Sequence, residues 1–287
     1  MEDRVGELIN GDYGDLHRSV LQFLISVKSI EFEELYVVFV KLVIGCLLDS
    51  SDEQTSDQDS HLRDLLAQSR PEVPGLNTEC LVKTIVLINR QLSALDFEIV
   101  ETLAQDDEKN INVSFVNTKS SASVKLSTGY TEKEIEIINQ LIDRMFEDPI
   151  DDEDNLTYSL KHSDALNLAK QNTNTITDSQ NFINGLEASG WIDTVKGKYT
   201  LSARALAELK SYIIGKFDVL SAENLRGTVS LCHGCNEIIT MGYRCPTSSC
   251  YIRFHEHCRD LFVKSHRIEQ CPGNDCDASL DNMTSFY

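Results

Sequence analysis

Between residues 15 and 48 the apolar positions Leu16, Val20, Phe23, Leu24 and Val27, then Leu35, Val38, Phe39 and Leu42, recur three and four apart. That spacing lines one face of a helix, so two packed helices are predicted. The apolar run over residues 35–48 is shorter than a membrane span and carries Lys41; it reads as a buried core helix, and no membrane association follows. Residues 49–60 spell DSSDEQTSDQDS, a stretch with too little apolar surface to order itself. An acidic mobile loop is expected there, reaching to about residue 75. Leu81, Ile85, Ile88 and Leu92 mark a further helix, and Phe97, Val100 and Leu103 the next. Residues 112–117 (NVSFVN) alternate and are β-branched, so they are read as a strand, half of a hairpin.

A second unit starts at Thr131, a helix cap with Glu134 as its reciprocal partner three residues on. Ile135, Ile138, Leu141, Ile142 and Met145 form one stripe. The acidic residues 147–154, with Pro149 among them, end that helix in a solvated loop. A short helix around residues 165–169 follows, then a helix over 178–189 whose start is read at Thr177-Asp178-Ser179-Gln180. Residues 191–201 (WIDTVKGKYTL) are a strand, a Lys-Gly-Lys turn and a second strand, and a helix runs from about 202 to 214. Three helices followed by a two-stranded hairpin is the winged-helix pattern.

Charge changes what that pattern implies. The 287 residues hold 26 Lys and Arg against 46 Asp and Glu, a net charge of -20, which argues against a surface that wraps nucleic acid. The helix over 178–189 has no Arg or Lys to bond guanine or phosphate and carries Asp178 and Glu187. Gln180, Asn181 and Asn184 suit a solvent face as well as a base edge, and only Lys196 and Lys198 at the hairpin are placed to touch phosphate. Docking to protein is the favoured reading over sequence-specific DNA binding.

Seven of the nine cysteines crowd into the last fifth of the chain with His255, in the order Cys232, Cys235, Cys245, Cys250, His255, Cys258, Cys271, Cys276. These eight ligands fill two tetrahedral zinc sites completely. If the sites interleave, one zinc takes Cys232, Cys235, His255 and Cys258, and the other takes Cys245, Cys250, Cys271 and Cys276. A disulfide scaffold is the competing reading, but residues 1–16 are acidic and lack the apolar core of a signal peptide. With every ligand used, no coordination position is open to a catalytic water, so the two Zn2+ are structural. His255 is preferred to His257 because it keeps the two-residue gap to Cys258; His233, His257 and His266 are assigned to the surface. Cys46 and Cys80, which sit in apolar helical patterns, are expected to be buried thiols.

Wing-bearing helical units in tandem, ahead of a double-zinc module whose one histidine stands fifth among eight ligands, resemble the non-SMC element one family, in particular its fungal members. This family is the RING-like subunit of the SMC five/six complex. The segments that carry the resemblance are Phe115-Val116-Asn117-Thr118 through Lys125-Leu126, Trp191-Ile192 through Tyr199-Thr200-Leu201-Ser202-Ala203-Arg204-Ala205, and the clamps Cys232 with Cys235 and His255 with Cys258. The fold class that follows is mainly α with small β hairpins (α+β). An N-terminal winged-helix-like domain over 1–126 and a second winged helix over 127–222 would precede a small cross-braced RING-like zinc domain over 228–280. The resemblance further implies a MAGE-type partner on the winged-helix domains, a kleisin subunit bridging the SMC heads, and DNA reached mainly through the complex. It implies a nuclear, chromatin-associated protein of DNA repair and recombination.

It also implies E3 ubiquitin-ligase activity stimulated by the MAGE-type partner. A RING ligase holds a ubiquitin-charged conjugating enzyme in an attack-ready geometry and needs no nucleophile of its own. The matching apolar shelf would be Ile238, Ile239 and Met241 with Pro272. Gly234 stands where RING ligases place an aliphatic residue, and residues 265–270 lack the Trp often found there, so the implied activity depends on the partner. Two other readings stay open. A PHD-type histone-tail reader uses the same ligand order, but such modules usually have a Trp where this chain has Glu269, and the aromatic residues available for a cage are Tyr243, Tyr251 and Phe254. A docking subunit without ligase function is the other.

Overall fold

The computed structural model describes residues 2–49, 56–105, 110–118, 129–147, 149, 156–173 and 175–287. The chain divides into two compact units, Met1–Thr102 with Asn110–Thr118, and Leu103–Lys109 with Lys119–Tyr287. No helix among the described residues is long and apolar enough to cross a membrane.

In the first unit, α1 (Glu2–Asn10), α2 (Asp15–Val27), α3 (Phe32–Asp49), α4 (Ser56–Leu66) and α5 (Thr78–Leu92) surround a small sheet. Its strands β1 (Ser29–Glu31), β2 (Phe97–Leu103) and β3 (Ile111–Asn117) lie in the order β1-β3-β2. The helical stripes meet as their spacing requires: Leu24, Leu35, Phe39, Ile44, Leu81 and Ile88 are all buried in one core. The helix expected over residues 97–103 is instead strand β2. Phe97, Ile99, Val100 and Thr102 are aromatic or β-branched and favour extended backbone. Asp96 turns the chain with φ 60°, and the Asn89 side chain accepts from Ile99 N and donates to Ile99 O, both at 2.8 Å. The acidic loop is also corrected in part. Residues 50–55 lie outside the described residues, but α4 occupies 56–66 because Leu62 and Leu65 give it a face that packs into the core. Cys46 and Cys80 are half-buried rather than buried.

The second unit begins with α6 (Glu132–Phe146), capped as expected: Glu134 N donates to Thr131 Oγ1 at 3.4 Å and Thr131 N to Glu134 Oε2 at 2.7 Å. Of the acidic run, residues 148 and 150–154 lie outside the described residues. Next come β4 (Ser159–Lys161), α7 (His162–Lys170), α8 (Ile176–Ala188), β5 (Ile192–Val195), β6 (Lys198–Leu201) and α9 (Ala203–Phe217). Helix α8 starts two residues earlier than read from sequence, because Thr175 caps it in a reciprocal pair with Asp178. The sheet order β4-β6-β5 matches β1-β3-β2 of the first unit. The second unit runs helix, strand, helix, helix, strand, strand, which is winged-helix topology, and the first follows the same order with one further helix before β1 and one further helix between β1 and β2. In the wing, Lys196 (φ 50°) and Gly197 (φ 77°) form the two-residue turn whose positive φ values suit the twist of a hairpin.

The zinc-bearing segment packs on this second winged helix, and one continuous core takes in residues of both. Tyr158 joins the two. Its hydroxyl donates to Thr228 O at 2.7 Å and lies 2.9 Å from Ser230 Oγ. Strands β7 (Gly242–Arg244), β8 (Arg253–Phe254) and β9 (Thr284–Phe286) form an antiparallel sheet in the order β8-β7-β9. Helix α10 (Glu256–His266) follows β8 directly. The sheet thus includes residues beyond 280, with Phe286 buried.

Candidate metal centre

Cys232 and Cys235 sit on a tight turn in which Asn236, with φ 60°, donates its N–H to Cys232 O at 2.8 Å. Cys232 N donates to Glu237 O, and His233 N to Arg253 O, both at 2.8 Å, which ties the turn to β8. His255 caps α10 and Cys258 lies three residues on, so one helical turn brings both to the same side. The four side chains converge: Cys235 Sγ is 3.4 Å and Cys258 Sγ 4.0 Å from His255 Nδ1, and His255 N donates to Cys232 Sγ at 3.4 Å. Cys235 is exposed and Cys258 half-buried.

The other cluster is assembled by backbone turns. Cys245 N donates to Ile252 O at 3.1 Å, Cys250 N to Thr247 O at 3.0 Å, Cys271 N to Ala278 O at 2.8 Å and Cys276 N to Gly273 O at 3.3 Å. Cys245 Sγ lies 3.5 Å from Cys276 Sγ, and Cys250 Sγ 3.7 Å from Cys271 Sγ. All four cysteines are buried. In each cluster the four ligand atoms lie within 4.8 Å of one another. Four Zn–S bonds of about 2.3 Å would separate tetrahedral sulfurs by roughly 3.8 Å, whereas a disulfide needs about 2.05 Å. The ligand-atom spacings fit two tetrahedral zinc sites, and the sulfur distances exclude disulfides between Cys245 and Cys276 and between Cys250 and Cys271.

Electrostatics supports the same conclusion. Contact with Cys235, then with Cys258, pulls the Cys232 thiol far below its usual range, and contact with Cys232 pushes Cys258 far above. Burial of His255 opposes its protonation, but its contacts with Cys232 and Cys235 outweigh that and raise it to about 9. In the second cluster burial pushes Cys271 up, while the Ala278 backbone N–H lowers Cys276 to about 7. Crowded thiols cannot all ionise without a cation, and a divalent ion removes that conflict. When bound, zinc would supply cross-linking of these loops rather than a reactive water, since four protein donors in each cluster fill the tetrahedral positions.

Two glycines record how tightly the loops pack. A Cβ on Gly234 would stand 2.8 Å from Cys258 Cβ, and one on Gly273 2.7 Å from Cys250 Sγ. The aliphatic side chain that RING ligases carry at the first position is therefore excluded by the approach of α10. The expected shelf is not brought to the surface as a set: Ile238 and Ile239 are buried in the core, while Met241 and Pro272 are half-buried. The two isoleucines carry no outward face because they fill the space beneath the first zinc turn. His233 and His266 are exposed and His257 is half-buried; none joins either cluster.

Sequence reasoning missed Gln105, which belongs to the second unit. Its Nε2 donates to Ile238 O at 2.9 Å, and its Oε1 accepts from Thr240 N at 2.8 Å, Thr240 Oγ1 at 3.0 Å and Met241 N at 3.1 Å. One amide thus satisfies the buried backbone beside the first zinc turn. No spacing signal in the sequence joins positions this far apart.

Winged-helix units ahead of eight interleaved ligands define a RING-like zinc protein of the winged-helix class. Residues 17–209 match the sequence model of the Nse1 non-SMC component of the SMC5-6 complex, and residues 232–276 match that of the RING-like domain. The chain belongs to the Nse1 family. It is 24% identical over 185 residues to the human non-structural maintenance of chromosomes element 1 homolog, spanning 64% of this chain and 64% of that protein's length. It is 24% identical over 172 residues to the element 1 of Schizosaccharomyces pombe, covering 60% of this chain and 67% of the relative. A chain of the solved Nse1-Nse3-Nse4 complex has the same fold, with a TM-score of 0.67 at 17% identity over 94% of this chain and 98% of that one.

Proposed function

We propose that this protein is the RING-like subunit of an SMC5-6 complex, working in DNA repair and recombination on chromatin in the nucleus. The observation that carries the reading is the family match over residues 17–209 together with a fold shared with a chain of the Nse1-Nse3-Nse4 complex. In this reading the two winged-helix domains, over about 1–126 and 127–222, hold a MAGE-type subunit, and that pair engages a kleisin. The acidic charge and a base-free α8 suit a protein partner, with DNA reached through the complex. Cys232, Cys235, His255 and Cys258 hold one zinc; Cys245, Cys250, Cys271 and Cys276 hold the other.

The zinc module acts as the ligase component, positioning a conjugating enzyme without covalent chemistry of its own. Met241 and Pro272 keep partial exposure for such a contact, while the buried Ile238 and Ile239 act from below by supporting it. A second reading, a zinc-stabilised docking subunit without ligase activity, is favoured by Gly234, whose contact with Cys258 leaves no room for the usual aliphatic contact. Reconstitution decides between them. The purified chain is mixed with a MAGE-type partner, and ubiquitin discharge from a charged conjugating enzyme is measured with and without it. Stable co-purification with stimulated discharge is expected; co-purification without discharge selects the docking subunit, and no binding rejects the complex.

A further inference from the structure

Arg244 and Arg253 stand directly opposite each other across β7 and β8. Paired residues of an antiparallel ladder share a face, and like charges there repel. Neither arginine has a carboxylate within ion-pair distance among the described residues, whereas Arg259 pairs with Asp260 at 3.0 Å and Arg204 with Glu208 at 3.3 Å. Arg253 is also drawn inward. Its Nη1 donates to Cys250 O at 3.0 Å and to Ile252 O at 2.9 Å, and its Nε is buried with no acceptor. Two facing cations, one of them largely desolvated, need a nearby anion.

The adjacent cluster supplies it. Four thiolates around one divalent ion leave two negative charges, and here all four cysteines are buried. The first cluster has three thiolates and one neutral imidazole, leaves one negative charge, and opens to water at Cys235. The need for a protein counter-charge is therefore concentrated at the second. We infer that Arg253, assisted by Arg244, is the counter-charge of the all-cysteine zinc centre, a positioning cation that raises its hold on the metal. It acts through the backbone of Cys250, which it orients while offsetting the charge of the four sulfurs.

The inference rests on the ligand assignment proposed above, and one experiment separates the two. The full chain is loaded with zinc, released metal is followed with a colorimetric chelator, and reactive cysteines are alkylated and mapped by mass spectrometry. In the wild-type chain, Cys250 and Cys271 should be protected until the metal is removed; free reaction of either with zinc bound would reject the ligand assignment. Arg253→Met should weaken retention of one zinc about tenfold, the scale of an outer-shell loss, and unprotect Cys250 and Cys271 while the first cluster keeps its metal. Arg253→Gln, which keeps a donor but no charge, should behave like Arg253→Met, and Arg253→Lys should stay close to wild type. Wild-type retention in Arg253→Gln overturns the charge role. Should Arg253→Met fail to fold by circular dichroism, Arg244→Met carries the same test: a smaller loss confined to the second cluster is expected, and unchanged retention overturns the inference.

Discussion

The two zinc clusters are built from the same kind of parts yet stand in different surroundings. The first joins a loop turn to the start of α10, mixes sulfur with imidazole and leaves Cys235 exposed. The second is all cysteine, fully buried, and lies among turns that continue into the core shared with the second winged helix. Ligand count is equal, so count does not determine what each ion supports. Burial of the whole ligand set does: both clusters reach the core shared with the winged helix, Cys232 included, but only the second is buried at every ligand, so its loss should open the interior while loss of the first should loosen a loop and a helix start.

The strongest test of this contrast compares Cys271→Ala with Cys235→Ala. A structural zinc contributes on the order of 10 kcal/mol to folding, comparable with the whole net stability of a domain. Cys271→Ala is expected to release one zinc and abolish the cooperative thermal transition of the entire second unit, including α6 to α9. Cys235→Ala should release one zinc while a cooperative transition persists, with new protease sensitivity restricted to residues near 232–258. Equal collapse in both variants would erase the distinction. A smaller effect comes from the paired glycines. Gly273→Ala drives a Cβ against Cys250 Sγ in the buried cluster and Gly234→Ala drives one against Cys258 Cβ in the open one. Overpacking of this kind costs roughly 1–3 kcal/mol. In chemical denaturation Gly273→Ala should be the more damaging, and the reverse order would mean that the buried loops yield more easily than their burial implies.

The mildest change is Tyr158→Phe, which keeps the ring contacts with Phe146 and Phe286 and removes only the hydroxyl. Leaving Thr228 O and Ser230 Oγ without that partner should cost about 1–2 kcal/mol. If the winged helix and the zinc segment melt together, both circular dichroism and zinc release should shift by the same amount. A shift in zinc release alone would show that the two are thermally separate and that Tyr158 serves only the metal side.

What sequence could reveal follows from the range of each interaction. The Thr131 cap, the Lys196-Gly197 turn and the His255 to Cys258 clamp are local, and each was legible because chemistry and geometry are fixed within a few residues. Strand β2 was misread because Phe97, Val100 and Leu103 fit a helical period by coincidence, while the feature that decides it, the Asn89 amide on Ile99, lies outside the window. Helix α4 was hidden by its acidic surroundings, since two buried leucines suffice when a core is waiting for them. At the zinc module, ligands were visible through spacing, but the shelf was not: nothing in the string Ile238-Ile239 tells inward from outward. Gln105, Tyr158 and Arg253 act on partners set by the tertiary fold, so their roles have no sequence pattern to announce them.

Strand β9 also bears on how the protein is made. Phe286 emerges from the ribosome ten residues after Cys276, and its strand pairs with β7, which leads straight into Cys245. All eight ligands thus precede β9 in the chain, and the backbone bonds that shape their turns do not involve it. Metal capture and closure of this sheet therefore draw on different residues. A peptide extension that obstructs residues 284–286 should therefore leave both zinc ions bound while β7 loses one of its two strand neighbours and Phe286 leaves the core.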